Sequence, residues 1–314
     1  MSAVVVGHKN PDTDSIVSAI AAADLMSKRG VPSQPFCQGK IPPDTAFVLG
    51  SFGFPAPELL GPLAGKKVIL VDHSDRGQAP EDLDQAELLG IFDHHKLGDI
   101  TTSTPLFFWA QPVGCSCTVI KGVYDYYGVE IPRNIAGLML CAILSDTLIF
   151  RSPTTTDEDR KAAKELARLA GVADYEALGM EMFVVKSAVT GVPARELLFR
   201  DYKDFTMNGQ KVGVSQLEVV DIKLLDGVRA DLRQAMTEAK AEGRHTIMLL
   251  LTDIMKEGSE LLVLSDDANL AEKVFGAAAT DTTYSSGNKN KGVWLPGVMS
   301  RKKDVVPKLE AVFK

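Results

Sequence analysis

The sequence predicts an α/β protein of two domains: an N-terminal domain with a doubly wound, mainly parallel sheet, and a smaller C-terminal α/β domain with a mixed sheet. Three observations lead to this prediction. The chain has 314 residues, which is more than a single hydrophobic core usually supports. Short apolar strands alternate with helical segments in its first part, as in parallel sheets covered by helices. After Gly191-Val192-Pro193 this pattern gives way to a hairpin followed by further strands and helices.

The N-terminal domain is predicted over residues 1–190. A short buried strand at 3–7 precedes a polar loop and a helix over 15–29, whose apolar residues recur at helical spacing until Gly30. Further apolar runs predict strands at 46–49, 67–72 and 88–93. Helices are predicted at 134–147, from the capping-box pair Thr155 and Glu158 to Gly171, and at 174–187. This succession is how a doubly wound sheet is built.

The C-terminal domain is predicted over residues 196–314, after a linker at 191–195. Asn208-Gly209 separates strand-like runs at 200–207 and 210–217, as the turn of a β-hairpin does. The remaining elements are predicted as a helix at 227–242, strands at 245–252 and 260–265, and helices at 268–277 and 303–313. We expect these strands to form a mixed sheet.

Composition and charge exclude several classes of protein. Hydrophobic residues make up 45% of the chain and charged residues 24%, as in soluble globular proteins. No apolar run approaches the ~18 residues of a membrane span, and the first ten residues become polar too early for a signal peptide. With 34 Lys and Arg against 41 Asp and Glu, the net charge is −7, which disfavours nucleic acid as a partner. We therefore expect a cytoplasmic protein with no membrane or nucleic-acid partner.

Three short motifs place histidine and aspartate together after predicted strands. They are HKNPDTD from His8, VDHSD around Asp72, and FDHHK around Asp93, and they contain four of the five histidines. Ligands of open parallel sheets bind outside the carboxyl ends of the strands, so we expect these side chains to meet. With Asp146 added, the full set is His8, Asp12, Asp14, Asp72, Asp93, His94, His95 and Asp146.

This set of side chains is suited to binding divalent cations. Several carboxylates cannot share one crevice as bare anions, because like charges raise one another's pKa. The donors outnumber the needs of one ion, and a carboxylate-rich set with imidazole favours Mn²⁺, Co²⁺ or Mg²⁺. The four cysteines lack the spacing of a zinc site and are expected to be free thiols. Two divalent cations bound side by side are typical of phosphoryl hydrolases, where they activate a shared water.

A basic segment near the C-terminus could bind the leaving phosphate. Gly297-Val298-Met299-Ser300-Arg301-Lys302-Lys303 opens a predicted helix, and helix amides with Arg and Lys form good anion sites. Taken alone, such a cluster is more often a solvated helix end. Its role therefore depends on the second domain closing over the metals.

Seven segments form an ordered set along the chain: HKNPDTDS, LVDHSD, FDHHK, PVGCSCT, GLMLCAILSDTLIF, GMEMF and LPGVMSRKKDVVP. Together they resemble the manganese-dependent (family II) inorganic pyrophosphatases of the Asp-His-His phosphoesterase superfamily. The resemblance extends from residue 4 to about residue 308. The Asp-His-His triplet alone is shared across the superfamily, whereas the ordered set ending in SRKK is specific to this family.

The resemblance implies a role for each matched residue. The metal ligands would be His8 and Asp12 on one ion, Asp14, His94 and Asp146 on the other, and Asp72 bridging the two. The substrate-binding residues would be His95, Lys203, Ser300, Arg301 and Lys302. The catalytic set would comprise His95, Asp72, Asp14, Lys203, Arg301 and Lys302. Asp93 would orient a histidine and His73 would have a supporting role, while His245 is expected to be a core or surface residue.

The implied reaction is hydrolysis of inorganic pyrophosphate to two phosphates by a hydroxide that bridges two Mn²⁺ ions in each subunit. Co²⁺ would substitute for Mn²⁺, and Mg²⁺ would arrive with the substrate. The family also implies a homodimer formed through the N-terminal domain and an active site in the cleft between the domains. One alternative is a short-chain polyphosphatase or another Asp-His-His phosphodiesterase, many of which carry a GGGH segment that this chain lacks. The other is a non-catalytic phosphate or metal sensor, which would show a broken ligand set.

Overall fold

Two sheets organise the protein, one in each of the units into which the chain divides, Met1–Val185 and Lys186–Lys314. The computed structural model describes residues 2–189, 191–276 and 292–314. Residue 190, where we expect the first domain to end, and residue 277, the expected end of a helix, lie outside the described residues. The domain boundaries of the sequence analysis therefore stay a prediction. Among the described residues, none of the helices has both the length and the apolar character that crossing a bilayer demands.

The first unit contains a sheet of six parallel strands. These are β1 (Ala3–Val6), β2 (Ser33–Cys37), β3 (Glu58–Leu59), β4 (Lys67–Val71), β5 (Glu87–Asp93) and β6 (Phe107–Ala110). They lie in the order β3-β2-β1-β4-β5-β6, and each neighbouring pair is parallel. The chain proceeds outward from β1 in one direction and from β4 in the other. The switch point lies between β1 and β4, where open sheets of this order bind their ligands.

The helices of this part of the chain carry much of its core, and those that begin at Thr13 and Ser116 pack on the strands. The helices are α1 (Thr13–Lys28), α2 (Pro43–Ser51), α3 (Ser116–Tyr127), α4 (Arg133–Asp146), α5 (Asp157–Ala170) and α6 (Tyr175–Lys186). Every residue of α4 from Ile135 to Ser145 is buried, as its continuous apolar sequence predicts. The opposite face of the sheet packs Val68, Leu70 and Ile91 against side chains of connecting segments such as Leu83.

Two local predictions for the first unit are wrong. Residues 46–49 lie within α2 and not in a strand, because Pro43 starts a helix whose buried residues Thr45, Val48 and Leu49 share one side. The capping box of α5 is formed by Thr156 and Asp159, one residue beyond the predicted pair Thr155 and Glu158. The edge strands β3 and β6, the strand β2 between β3 and β1, and the helix α3 were not predicted.

The second unit contains a mixed sheet of five strands among its described residues. Its elements are α7 (Ala194–Phe199), β7 (Tyr202–Met207), β8 (Gln210–Val219), α8 (Arg229–Ala241), β9 (Thr246–Asp253), β10 (Gly258–Ser265), α9 (Leu270–Phe275), β11 (Val293–Pro296) and α10 (Val306–Val312). The order is β11-β10-β9-β8-β7, with β8 and β9 parallel and the other pairs antiparallel. The predicted hairpin and mixed sheet are confirmed. Asn208 and Gly209 both have positive φ, 46° and 74°, as a type I′ turn requires.

Alternate residues of the second sheet pack on opposite faces. On one face, Leu217 and Leu249 pack with residues of α7 and α8. On the other, Val214 and Leu250 pack with residues of α9 and α10. A single wide helical turn, Arg301–Val305, leads into α10, so the SRKK motif opens a helix as predicted.

Candidate metal centre and phosphate-binding segment

The predicted metal ligands of the first unit lie together at the carboxyl end of its sheet. His8 follows β1, Asp72 follows β4, and His94 follows β5. These side chains form three groups, and within each group one oxygen or nitrogen atom per residue lies within 4.8 Å of the others. The groups are His8, Asp12 and Asp72; Asp14, His94 and Asp146; and Asp72, His94 and His95. The first two groups divide the ligands between two positions in the way that the resemblance implies.

Asp72 lies at the centre of this arrangement. Its Oδ2 is 3.2 Å from Nε2 of His8, and its Oδ1 is 3.5 Å from Nε2 of His94. The side chain is 1% exposed, and Ser116 Oγ donates a hydrogen bond to Oδ1 at 2.9 Å. The two oxygens of a single carboxylate thus face two different histidines, which is the geometry of a bridging ligand.

The imidazoles of His8 and His94 are held in a form that can bind metal. Nδ1 of His8 lies 2.7 Å from the carbonyl oxygen of Lys9, and Nδ1 of His94 lies 2.9 Å from that of Val113. A carbonyl oxygen only accepts, so each Nδ1 carries the proton and each Nε2 keeps its lone pair when the ring is neutral. Those Nε2 atoms face carboxylate oxygens, which also offer lone pairs, and only a proton or a cation can join them. The donor set therefore fits divalent cations.

Asp14 is fixed by the N-terminus of α3. The backbone amides of Ser116 and Cys117 donate to its two carboxylate oxygens at 2.6 and 3.2 Å, and Ser18 Oγ donates at 2.9 Å. Helix amides stabilise negative charge at such a position. The carboxylate is therefore held in one orientation before any ion arrives, which is what a metal ligand requires.

Two buried cysteines, Cys115 and Cys117, also lie beside Asp14. Burial raises the pKa of both thiols, to about 11 for Cys117. Burial thus favours the protonated thiol over the thiolate at both positions. All four cysteines are free, as predicted.

Asp93 and His95 form a second carboxylate–imidazole pair. Oδ1 of Asp93 accepts from the backbone amide of His95 at 2.9 Å and lies 3.0 Å from its Nδ1. This contact fixes the ring and directs Nε2 away from Asp93. The His95 side chain is 27% exposed, compared with 7% for His94, so it is the more accessible of the two to a substrate.

The remaining histidines lie outside these ligand groups. His73 is buried and its Nδ1 lies 2.9 Å from the carbonyl oxygen of Val71. Burial and the nearby His8 lower its pKa to about 4, so the ring is neutral near pH 7. The supporting role of His73 stays a prediction. His245 lies in the second unit, where its ring packs edge-on to Phe313 at 5.5 Å.

We expect Mn²⁺ to stabilise the protein more at about pH 8 than at about pH 6. Burial and Asp14 raise the pKa of Asp72 well above 3.8. Burial lowers the pKa of His8, but the nearby Asp12 and Asp72 outweigh it, and the net value lies well above 6.5. Without metal, the stability that protonated His8 and Asp72 contribute is lost as the pH rises through their raised pKa values. Below those pKa values, protons compete with Mn²⁺ for the same atoms. The measurement is the Mn²⁺-induced shift in Tm at both pH values; a larger shift at pH 6 would contradict this assignment.

The predicted phosphate-binding residues lie in the second unit. Lys203 lies on β7, and Ser300, Arg301 and Lys302 lie at the start of the turn before α10. Ser300 and Arg301 are buried, whereas Lys302 is exposed. The Arg301 guanidinium donates to the carboxylate of Asp201 at 2.7 Å and to its carbonyl oxygen at 2.9 Å. This anchoring partner was not predicted from the sequence.

The fold and the ligand groups define a class of protein. The N-terminal domain model of the DHH family matches residues 2–143, and the DHHA2 domain model matches residues 180–312. The Asp-His-His triplet begins at the last residue of β5, within the first match, and the SRKK motif lies within the second. The chain is thus an Asp-His-His protein with the two domains of that class.

The chain belongs to the manganese-dependent (family II) inorganic pyrophosphatases. It is 48% identical to the probable manganese-dependent inorganic pyrophosphatase of Archaeoglobus fulgidus, over 98% of this chain and 97% of that protein. It is 44% identical to the manganese-dependent inorganic pyrophosphatase of Methanocaldococcus jannaschii, over 98% of both chains. A crystal structure of a Methanococcus jannaschii family II inorganic pyrophosphatase superposes with a TM-score of 0.84 at 43% identity, covering 98% of both chains.

Proposed function

We propose that the protein hydrolyses inorganic pyrophosphate to two phosphates at a site that binds two Mn²⁺ ions. The observation that carries the proposal is Asp72, whose two oxygens face His8 and His94 in two separate ligand groups. Relatives that match the whole chain and are named for manganese-dependent pyrophosphate hydrolysis support the choice of metal and substrate. We propose Co²⁺ as a substitute metal and Mg²⁺ as the ion that accompanies the substrate.

The ligand groups of the first unit support a metal-binding role for it. His8 and Asp12 would hold one ion, Asp14, His94 and Asp146 the other, and Asp72 both. When bound, such a pair of ions lowers the pKa of a shared water and supplies a nucleophile near neutral pH. The residues themselves keep the donors oriented: the amides at the start of α3 hold Asp14, and Ser116 holds Asp72.

The cationic and polar groups would act on the substrate. His95 keeps Nδ1 against Asp93, and its side chain is 27% exposed. In the protonated ring, Nε2 would donate a hydrogen bond or a proton to a phosphate oxygen. Lys203, Arg301 and Lys302 supply positive charge for the leaving phosphate, and Ser300 supplies a hydroxyl donor. Such donors act by stabilising charge that develops in the transition state.

An assay on pyrophosphate, tripolyphosphate and a dinucleotide tests the proposal, with released phosphate measured for the first two and released mononucleotide for the third. We expect turnover of pyrophosphate with Mn²⁺, loss of turnover after chelation, and recovery when Mn²⁺ is restored. Faster release from tripolyphosphate or the dinucleotide would identify a different Asp-His-His phosphoesterase. Binding of phosphate or Mn²⁺ without any release would identify a sensor.

We further propose that the protein forms a homodimer through its first unit. β6 pairs only with β5 among the described strands, so one of its backbone edges is unpaired. Its Phe108 is 43% exposed, and Tyr126, packed on Trp109 at 5.3 Å, is 69% exposed. An apolar edge strand of this kind favours pairing with another copy.

Light scattering of the purified protein tests the dimer. We expect twice the chain mass of 33.9 kDa, and a monomer for Phe108→Lys, because a charged side chain disfavours edge pairing. Met255→Lys is the matched control, since Met255 is 51% exposed but lies in the second unit. A Phe108→Lys variant that stays dimeric would exclude β6 as the interface.

We also propose a cytoplasmic location. The four cysteines are all free, which fits a reducing compartment. Cell fractionation with an antibody to the protein would test this.

A further inference from the structure

Three polar side chains interrupt the apolar face of the second sheet at one end. Along β8, Val212 and Val214 are followed on the same face by Gln216; along β9, Met248 and Leu250 are followed by Thr252; along β10, Leu261 is preceded by Ser259. Thr252 and Ser259 are directly paired across β9 and β10. The exposed fractions of Gln216, Thr252 and Ser259 are 5%, 0% and 0%. We call these three residues the polar row.

The polar row forms a directed chain of hydrogen bonds. Nε2 of Gln216 donates to Oγ1 of Thr252 at 3.0 Å, and the hydroxyls of Thr252 and Ser259 are 2.8 Å apart. Ser259 Oγ then donates to the carbonyl oxygen of Val298 at 2.6 Å. Because that carbonyl can only accept, the Ser259 hydroxyl is the donor there and accepts from Thr252. Every member of the row therefore has a partner.

Gln216 also bonds the chain on both sides of Ser300. Its Nε2 donates to the carbonyl oxygen of Met299 at 2.9 Å, and its Oε1 accepts from the backbone amide of Arg301 at 2.9 Å. The Arg301 guanidinium donates to the carbonyl oxygen of Val214, two residues earlier on β8, at 3.2 Å. Both the backbone amide and the side chain of Arg301 are thus hydrogen-bonded to residues of β8.

Asp304 holds the other side of the segment. One of its carboxylate oxygens accepts from the amides of Met299 and Ser300, both at 2.9 Å. The backbone from Val298 to Arg301 is therefore fixed by side chains from the sheet on one side and by Asp304 on the other. Nothing in this arrangement depends on a bound ligand.

Burying polar groups costs free energy unless each finds a partner, and apolar residues at the same three positions would continue the core. A fully bonded row instead specifies one conformation of the backbone it touches. We propose that Gln216 is a positioning residue that holds Ser300, Arg301 and Lys302 in the conformation that binds phosphate. This inference rests on the proposed function of those three residues.

Gln216→Met tests this inference, because methionine has the same length and removes both hydrogen-bonding atoms. We expect kcat/KM for pyrophosphate to fall about 10–100-fold, since small displacements of a binding group have effects of this size. The number of Mn²⁺ ions bound should not change. Gln216→Glu keeps an acceptor for the Arg301 amide but replaces the donor that faces the carbonyl oxygen of Met299 by a second acceptor. We therefore expect it to recover only part of the loss.

Ser215→Ala is the matched control. Ser215 is the neighbouring residue on β8, is fully buried, and donates to the carbonyl oxygen of Leu198 on the opposite face. We expect it to lower Tm without changing kcat/KM. Equal losses of kcat/KM in Ser215→Ala and Gln216→Met, or a Gln216→Met variant within twofold of the unmodified protein, would overturn the inference.

The same substitution in an Arg301→Ala background separates this inference from the proposed function. If Gln216 acts through the segment, its loss should cost much less once Arg301 is already missing. If Arg301→Ala is impaired but Gln216→Met is not, the positioning role alone is wrong. If Arg301→Ala retains full activity, the proposed phosphate-binding role is wrong, and the inference fails with it.

Discussion

Replacing Asp72 by alanine is expected to abolish pyrophosphate hydrolysis and to leave fewer than two Mn²⁺ ions bound per chain. The reason is that one carboxylate faces both His8 and His94, at 3.2 and 3.5 Å, so its removal weakens both positions. Loss of one charge-stabilising group commonly costs about 10²–10³ in rate, and loss of a shared ligand should exceed that. Metal analysis after dialysis and a phosphate-release assay measure the two effects separately.

The backbone conformation at Asp72 determines which second substitution is a suitable control for Asp72→Ala. Its φ is 62°, a left-handed conformation that asparagine adopts more readily than alanine. Asp72→Asn therefore removes the charge while keeping the local backbone, and we expect it to lose manganese as Asp72→Ala does. Two tightly bound Mn²⁺ ions in Asp72→Asn would contradict the bridging role.

The proximity of the proposed metal ligands could be predicted because parallel strands bring their carboxyl ends to one edge. His8, Asp72 and Asp93 each follow or end a strand with a clear apolar run, and the strands β1, β4 and β5 are adjacent in the sheet. Proximity thus followed from topology. The sequence does not determine which oxygen of Asp72 faces which histidine, because that depends on the left-handed backbone at its own position.

Elements that depend on distant contacts were missed. β2 contains Pro35 and is only partly buried, so its sequence lacks the apolar run of a central strand. The start of α3 is held by tertiary contacts: the amides of Ser116 and Cys117 bind Asp14, more than 100 positions earlier. No local pattern shows such a pairing.

The capping box of α5 shows how a distant contact resolves an ambiguous local pattern. Thr155 with Glu158 and Thr156 with Asp159 have the same spacing, and the sequence alone does not separate them. The carboxylate of Asp159 also accepts from the amide of Gly114 and the hydroxyl of Thr118. These contacts fix Asp159 inside the unit and so fix the start of the helix.

The polar row was detectable in part. The alternation Val212, Val214, Gln216 places a polar residue where a buried apolar one is expected. That signal indicates a special role, but the identity of the partners, Met299 and Arg301, requires the folded backbone. Similarly, the sequence identifies Arg301 by its motif and does not show that Asp201 anchors it.

Replacing Arg301 by alanine is expected to lower kcat about 10²–10³-fold, the usual cost of removing a donor that stabilises developing charge, while both Mn²⁺ ions stay bound. The described contacts of Arg301 all lie within the second unit, whereas the proposed metal ligands lie in the first. Steady-state kinetics and metal analysis of the same preparation make the comparison. A near-normal kcat would contradict the phosphate-binding role.

Arg301→Lys and Asp201→Ala distinguish binding of substrate from support of the fold. Lysine keeps the charge but lacks the planar fork that donates to both Asp201 and Val214, so we expect it to recover only part of the lost activity. Asp201→Ala removes the anchoring carboxylate and leaves the guanidinium in place. If Arg301 served only to bind Asp201, Asp201→Ala and Arg301→Ala would lower Tm to the same extent and impair kcat equally. If Arg301 binds phosphate, Arg301→Ala should lower kcat much more than Asp201→Ala does. Only Arg301→Ala removes the positive charge that would contact the substrate.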